Sequence, residues 1–484
     1  MRPTSTRPAA GIARRDLIRR SAALGLAAAP ALGALTGCAT GFGGASVSDN
    51  VAKSRGQTSP ANPLGAKRGL PVEAFIFKGG LGDSYARDAE ADYTATYGAR
   101  VVHTGTQQIG PKLQPRIAGG DPPDVIDNSG ADHLDMNNLS QQGRLVDLGP
   151  LLDAPTFDDP AKKVRDTLFP STLAKGRHGD TFDVLYYAFT VYGTWYSQKL
   201  LDDRGWEYPT SLDGMLELCR EIKKDGIAPW AYPGKYPYYT HWNIFGQIAK
   251  IGGLEKWLAI DNLEPNAWTS NDAARRVIEF YEEMAAKRYF LAGSEGRTHT
   301  QTQTKWNQYE AVFIPNGSWV ENEAEPTTPK DFRMAVGVLL DGGAHDAMPR
   351  GTVYAEPSEP YVVAADGRNP TGGMELLRIM LSRKHAQNFA RKVKSLTSVK
   401  DSTAGLALSP GLASASRAVA EGGDNLIMAQ LRDWYPKLTD ERIGGLTSDL
   451  LTGDIRARDW IRKAQKYADE VAADRSVTKF TRSA

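Results

Sequence analysis

The chain has 484 residues, of which 24% are charged and 41% apolar, and a formal net charge of +1. That balance leaves no electrostatic footprint for nucleic acid, and its 2 cysteines, Cys38 and Cys219, are too few for a disulfide scaffold or a thiolate metal site. The length exceeds what one hydrophobic core organises, which favours two lobes.

In chain order, Arg14 and Arg15 open a charged region, and Ser21 to Gly37 follow without any charge. That stretch is too short to cross a bilayer. It ends at Leu35-Thr36-Gly37-Cys38, which resembles a lipobox, so residues 1–37 read as a signal peptide and Cys38 as the first mature residue, diacylated on sulfur. Arg14-Arg15-Asp16-Leu17-Ile18 resembles a twin-arginine export signal without its usual Ser or Thr and Phe, which leaves Sec or Tat export open. Removing the segment's six Arg and one Asp moves the formal charge from +1 to −4. With Cys38 lipidated no intrachain disulfide can form, and Cys219 falls in the helical pattern Leu212 to Lys224 as a small buried hydrophobe. Ala39 to Leu70 is dense in Gly, Ser, Asn, Pro and Lys. Residues 38–70 are therefore expected to be the lipidated cysteine and a flexible tether spanning roughly 30 Å.

From Pro71 strand and helix patterns alternate: Val72 to Phe77, then a helix Asp83 to Tyr97, then Arg100 to Thr104, then Asp124-Val125-Ile126 and a helix Ala131 to Gln142. Such alternation predicts an α/β lobe with a largely parallel sheet. Asp183 to Tyr196 is long, apolar and aromatic, and carries the chain between lobes near Ala188. The middle is mostly helical, with Tyr239 to Ile251 and Asp272 to Lys287, then a turn at Pro315-Asn316-Gly317 and a strand Met334 to Leu339. Tyr354 to Ala364 and a helix Gly373 to Lys384 return to the first architecture, and Asp424 to Ala484 is helical.

No GxSxG, HExxH or GxxxxGK[ST] motif is present. Gly79-Gly80-Leu81-Gly82 lacks the third glycine of a dinucleotide site and places Asp83 where a pyrophosphate would sit. The 7 histidines are scattered singly, so neither cofactor nor metal is expected. Carboxylates far apart in sequence can still form a glycosidase pair. A lipid-anchored glycoside hydrolase acting on chitin fragments is therefore the alternative reading, with a surface adhesin or sensor of similar fold as a third.

Four segments carry a family resemblance: Asp121-Pro122-Pro123-Asp124-Val125, Trp195 to Leu201, Glu310 to Trp319, and Leu451-Thr452-Gly453-Asp454. In this order they resemble the extracellular solute-binding proteins of carbohydrate ABC importers over residues 71–475, most of all the N-acetylglucosamine and N,N'-diacetylchitobiose-binding lipoproteins. Ser197-Gln198 departs from the Asn-Lys of many relatives. The resemblance implies a two-lobed, periplasmic-binding-protein-like α/β fold with three hinge crossings, near Ala188, Thr352 and Leu412, and a ligand cleft between the lobes. Residues 71–188 plus 353–412 would form lobe 1, and 189–352 plus 413–484 lobe 2. It further implies a monomer without catalytic residues, lipid-anchored on the extracytoplasmic face of the membrane. Such a monomer delivers a small-molecule sugar to permease subunits served by a cytoplasmic ATPase.

A pyranose has apolar C–H faces and a rim of hydroxyls, so its binder needs flat aromatic surfaces and fixed donors and acceptors. The 10 Trp and 19 Tyr cluster around Tyr186 to Tyr196, Tyr236 to Trp242, Trp306 to Trp319 and Trp434-Tyr435. Tyr187 and Tyr192 belong to the first cluster. By the resemblance, Trp319 and Trp434 stack on sugar, Asn316 offers an amide, and Tyr239, Trp242 and Asn243 begin a cleft-facing helix. Lys78, Asn128 and Asp132 lie on loops that hold hydroxyls, and Glu359 lies on the returning segment.

Overall fold

The computed structural model describes residues 47–483; the signal peptide and Cys38 lie outside them. Helix α1, Val47–Ser54, precedes a loop to residue 70. The first βα units are β1 (Val72–Phe77), α2 (Ser84–Tyr97), β2 (Val101–Thr106), α3 (Ile109–Ala118) and β3 (Val125–Asp127). β1 pairs in parallel with both β2 and β3, and its Val72, Ala74 and Ile76 turn to a core shared with Tyr93 and Tyr97 of α2. That is the parallel α/β layer the alternation predicts.

After α4 (Pro170–Lys175) comes β4 (Leu185–Ser197), whose thirteen residues are all buried. The second half contains α5 (Leu212–Lys224), β5 (Ala228–Trp230), α6 (Tyr238–Gly252), α7 (Asp272–Ala286), β6 (Ala311–Gly317) and β7 (Met334–Gly337). Ser211 caps α5 by accepting from Gly214 N at 3.1 Å. Cys219 on this helix is fully buried, and burial pushes its thiol up to about 12. Then follow β8 (Val353–Val363), α8 (Pro370–Met380), α9 (Arg383–Val393), β9 (Leu396–Thr397), α10 (Pro410–Gly422), β10 (Leu426–Ile427), α11 (Leu431–Trp434), α12 (Gly444–Thr452) and α13 (Ala457–Ala473). Trp257, Trp268 and Trp460 centre the core of this half.

One mixed sheet runs through both halves, in the order β2-β1-β3-β8-β4-β6-β5, with β10 on β8 and β7 and β9 on β4. β4 and β8 are antiparallel, from Leu185 opposite Tyr361 to Tyr192 opposite Tyr354. One end of this ladder continues into β3 and the other into β6. At its middle Ala188 faces Ser358 on one side and Thr397 on the other, so the chain passes three times between the halves, side by side. Thr352 lies just before β8, whose first residues still pair within the second half, and Leu412 lies inside α10 among Val336 and Ala415.

The segment expected to be a tether is docked from residue 47 onward. Ser54 is fully buried and its Oγ donates to Thr371 Oγ1 at 2.9 Å, while Leu64 and Ala66 join the first core. Asn62 fixes the loop by donating to Ala66 O at 3.0 Å and accepting from Ala66 N at 2.8 Å. Side-chain to backbone bonds of this kind hold a polar loop without an apolar run, which is why composition misses it. Ser54→Val is expected to lower the unfolding free energy by about 1–2 kcal/mol, measured as a shift of the urea midpoint; an unchanged midpoint refutes the docking.

Candidate functional site

A cavity of about 450 Å³ lies against the strand crossing, walled by Phe77, Gly80 and Asn128 from the first half, Tyr192, Trp242 and Trp319 from the second, and Glu356 and Glu359 of β8. Trp319 follows β6 and is half-buried. Tyr192, Tyr239 and Trp242 surround it edge-to-face at centroid distances of 5.7, 6.0 and 5.3 Å, so its orientation is fixed by rings on two elements. A Cβ on Gly80 would sit 2.7 Å from the indole, and one on Gly317 would sit 2.0 Å from it. Those two glycines are bare because the indole lies over them. Asn322 Nδ2 adds a bond across the halves, donating to Gly80 O at 2.6 Å.

The polar side of the cavity is built from buried charge. Lys175, at the end of α4, pairs with Asp433 of α11 at 2.9 Å and Glu356 of β8 at 3.3 Å, and donates to Pro357 O at 3.1 Å. Burial opposes the lysine's charge, but Asp433 and then Glu356 outweigh it and raise its pKa. For Glu356, burial raises the carboxyl to about 7 against the pull of Lys175, and Asp433 adds to the rise. Arg432 lies over the Tyr238 ring at 4.2 Å and holds Asp440 through Nε at 2.9 Å and Nη2 at 2.9 Å, which braces that ring in the wall.

Glu359 has a left-handed backbone, φ 55, in the middle of β8. Burial raises its carboxyl, and burial and then Glu359 raise that of Asp127. Asp127 also accepts from Ser129 Oγ at 2.5 Å and Phe77 N at 3.2 Å. The Glu359 carboxyl disfavours ionisation of its neighbour Asp127, which adds to the effect of burial.

Of the residues singled out by sequence, Trp319, Tyr239, Trp242, Tyr192, Asn128, Asp132 and Glu359 line this cavity. The Asn128 amide is spent on its own loop, bonding Leu134 O at 3.0 Å and Leu134 N at 2.8 Å. The others stand elsewhere, each for a local reason. Trp434 stacks on Phe480 at 5.6 Å. Asn316 is 2% exposed within β6, its carbonyl accepting from Trp195 Nε1 and its side chain from Gly317 N. Asn243, next to Trp242 on α6, donates to Thr194 Oγ1 at 3.1 Å. Tyr187 points into the first core and donates to Met380 O, because successive residues of β4 face opposite sides. Lys78 is 61% exposed and pairs with Asp83. Sequence reasoning missed Lys175, Glu356, Arg432, Asp433 and His241, while Tyr238 of the Tyr236 to Trp242 cluster also lines the cavity. Arg432 and Asp433 sit immediately before Trp434 on the same helix and line the cavity.

A family model described as bacterial extracellular solute-binding protein matches residues 79–387. The diacetylchitobiose binding protein NgcE of Streptomyces coelicolor is 34% identical over 428 residues, covering 88% of this chain and 90% of that protein. Among solved structures, RafE in complex with raffinose superposes with a TM-score of 0.66 at 15% identity, covering 83% of this chain and 99% of that one. A chitin oligosaccharide binding protein superposes with a TM-score of 0.63 at 18% identity, covering 82% and 98%. These two likenesses show the fold.

Glu356 generates a pH dependence. Its folded pKa of about 7 lies above its ordinary value of 4.5, so the stability it contributes is full below the lower figure and is lost as pH rises to the upper one. Glu356→Gln is expected to flatten the melting temperature against pH across that window; parallel curves for the two proteins would refute this.

Proposed function

Because the chain belongs to the bacterial extracellular solute-binding proteins, we propose that it is the sugar receptor of an ABC importer, capturing N,N'-diacetylchitobiose and N-acetylglucosamine without altering them. The observation that carries this reading is Trp319, held edge-to-face by Tyr192, Tyr239 and Trp242 in the wall of a cavity that two halves of the chain share. A ring held that way presents a flat apolar surface to a pyranose face, while Glu359 in the cavity lining offers a polar group to its rim. The NgcE relative, named for diacetylchitobiose, supports the choice of sugar.

In this reading the lobes part at Ala188, Ser358 and Thr397 and rotate about that line. The closed form is held by Lys175 with Asp433 and by Asn322 with Gly80. A bound sugar favours closure only by its extra affinity for the closed state, and the closed receptor delivers it to the permease. Cys38 carries the lipid that keeps the receptor at the outer face of the membrane; among the described residues no helix is long and apolar enough to cross one. The receptor works as a monomer.

Titration calorimetry with N,N'-diacetylchitobiose tests the site. Trp319→Ala is expected to lose about 2 kcal/mol, roughly 30-fold in Kd, while Trp434→Phe stays near the wild-type value. Equal affinity for wild type and Trp319→Ala removes the indole from the site, and release of monosaccharide on incubation favours the hydrolase instead. Labelled palmitate tests the anchor: Cys38→Ser should abolish incorporation and free the protein from the membrane, and label retained by that variant refutes Cys38.

A further inference from the structure

α6 brings to the cavity wall a histidine that no motif pointed to. His241 is 2% exposed and lines the cavity. Its Nε2 lies 2.9 Å from Thr447 Oγ1 of α12, while its Nδ1 has no hydrogen-bond partner among the described residues.

Counting hydrogens assigns the tautomer. Thr447 is fully buried, and its hydroxyl has one proton to place, with His241 as its hydrogen-bond partner. If Nε2 donated to that hydroxyl, the threonine proton and the Nδ1 lone pair would both be left unsatisfied. If the hydroxyl donates to Nε2, only a proton on Nδ1 is left over. Each unmet buried polar group carries a desolvation penalty, so the second arrangement wins. Burial lowers the imidazole to about 4, so near neutral pH the ring is uncharged and its Nδ1 is a donor.

Phe245, one helical turn further along α6, stacks against the imidazole at a centroid distance of 5.0 Å and an interplanar angle of 21° and lines the same cavity. A neutral donor beside an apolar ring matches a group that is acceptor and methyl at once. An acetamide has both, a hydroxyl has the acceptor without the methyl, and an ammonium has neither. We infer that His241 Nδ1–H reads the carbonyl oxygen of the acetamido group of an N-acetylamino sugar, with Phe245 bearing its methyl. The inference rests on the sugar-receptor reading above and gives it a specificity residue.

Calorimetry of the full chain with N,N'-diacetylchitobiose and with cellobiose, which has hydroxyls in place of both acetamido groups, separates the two claims. Wild type should prefer diacetylchitobiose. His241→Phe should weaken that sugar about tenfold or more and erode its preference over cellobiose by the same factor. His241→Asn, which sets an amide N–H near the place of Nδ1, should recover most of the loss. A preference unchanged in His241→Phe overturns the inference alone, as does a wild type that binds both sugars equally; a wild type that binds neither overturns the receptor reading with it. Should the phenylalanine variant fail to fold, long-range 1H–15N spectra of wild type still decide. A proton on Nδ1 that shifts as diacetylchitobiose is added supports the assignment, and a proton on Nε2 in the bound protein overturns it.

Discussion

Everything in this molecule hangs on the antiparallel ladder between β4 and β8. Those two strands belong to both halves of the sheet, joining β3 at one end and β6 at the other. Because side chains alternate along a strand, the ladder also decides which aromatics reach the cavity. Tyr186 and Tyr192 line it, while Tyr187 turns into the first core. A slip of one residue in this register would exchange those sets and empty the site.

The ladder also explains how a lysine survives in the interior. Lys175 is 3% exposed at its side chain and would be prohibitive there without partners. It is met by Glu356 from the ladder and Asp433 from beyond it, so its charge is satisfied only while the three elements stand together. α11 is placed in turn by Asp261, fully buried, which accepts from Gln430 N at 3.2 Å and Leu431 N at 3.0 Å and is itself paired with Arg482 near the end of the chain. Burial raises Asp261 to about 6, with Arg482 opposing. The cavity's polar wall therefore depends on a chain of buried contacts running to the C-terminus.

The parts that sequence exposes are those with a local signature. The βα units announce themselves by alternation and β4 by a long apolar aromatic run, whereas the turn expected at Pro315-Asn316-Gly317 is the end of strand β6, with Trp319 just beyond it. What stays hidden is decided by partners distant in sequence. Lys175 looks like any lysine near a helix end until Asp433 is brought to it, and the free nitrogen of His241 is visible only once Thr447 is opposite. Trp434 shows the limit from the other side: its type suits a sugar, but a helix turns about 100° per residue, and its neighbours Arg432 and Asp433 face the cavity while it stacks on Phe480. The loop before β1 has the composition of a tether and is fixed by the Asn62 amide, a device that average composition does not register.

The contact between Trp319 and Gly80 has an optical consequence. Trp195, Trp257, Trp268, Trp306 and Trp460 are almost wholly buried and sit within their own cores, where movement of one half against the other leaves their surroundings alone. The Trp319 indole instead rests on backbone from the opposite half, at a glycine with no side chain to follow it. Separation of the halves lets water reach that ring, and indole emission moves to the red as its surroundings become more polar. The molecule thus carries a native fluorophore whose colour reports its own opening, with no label attached.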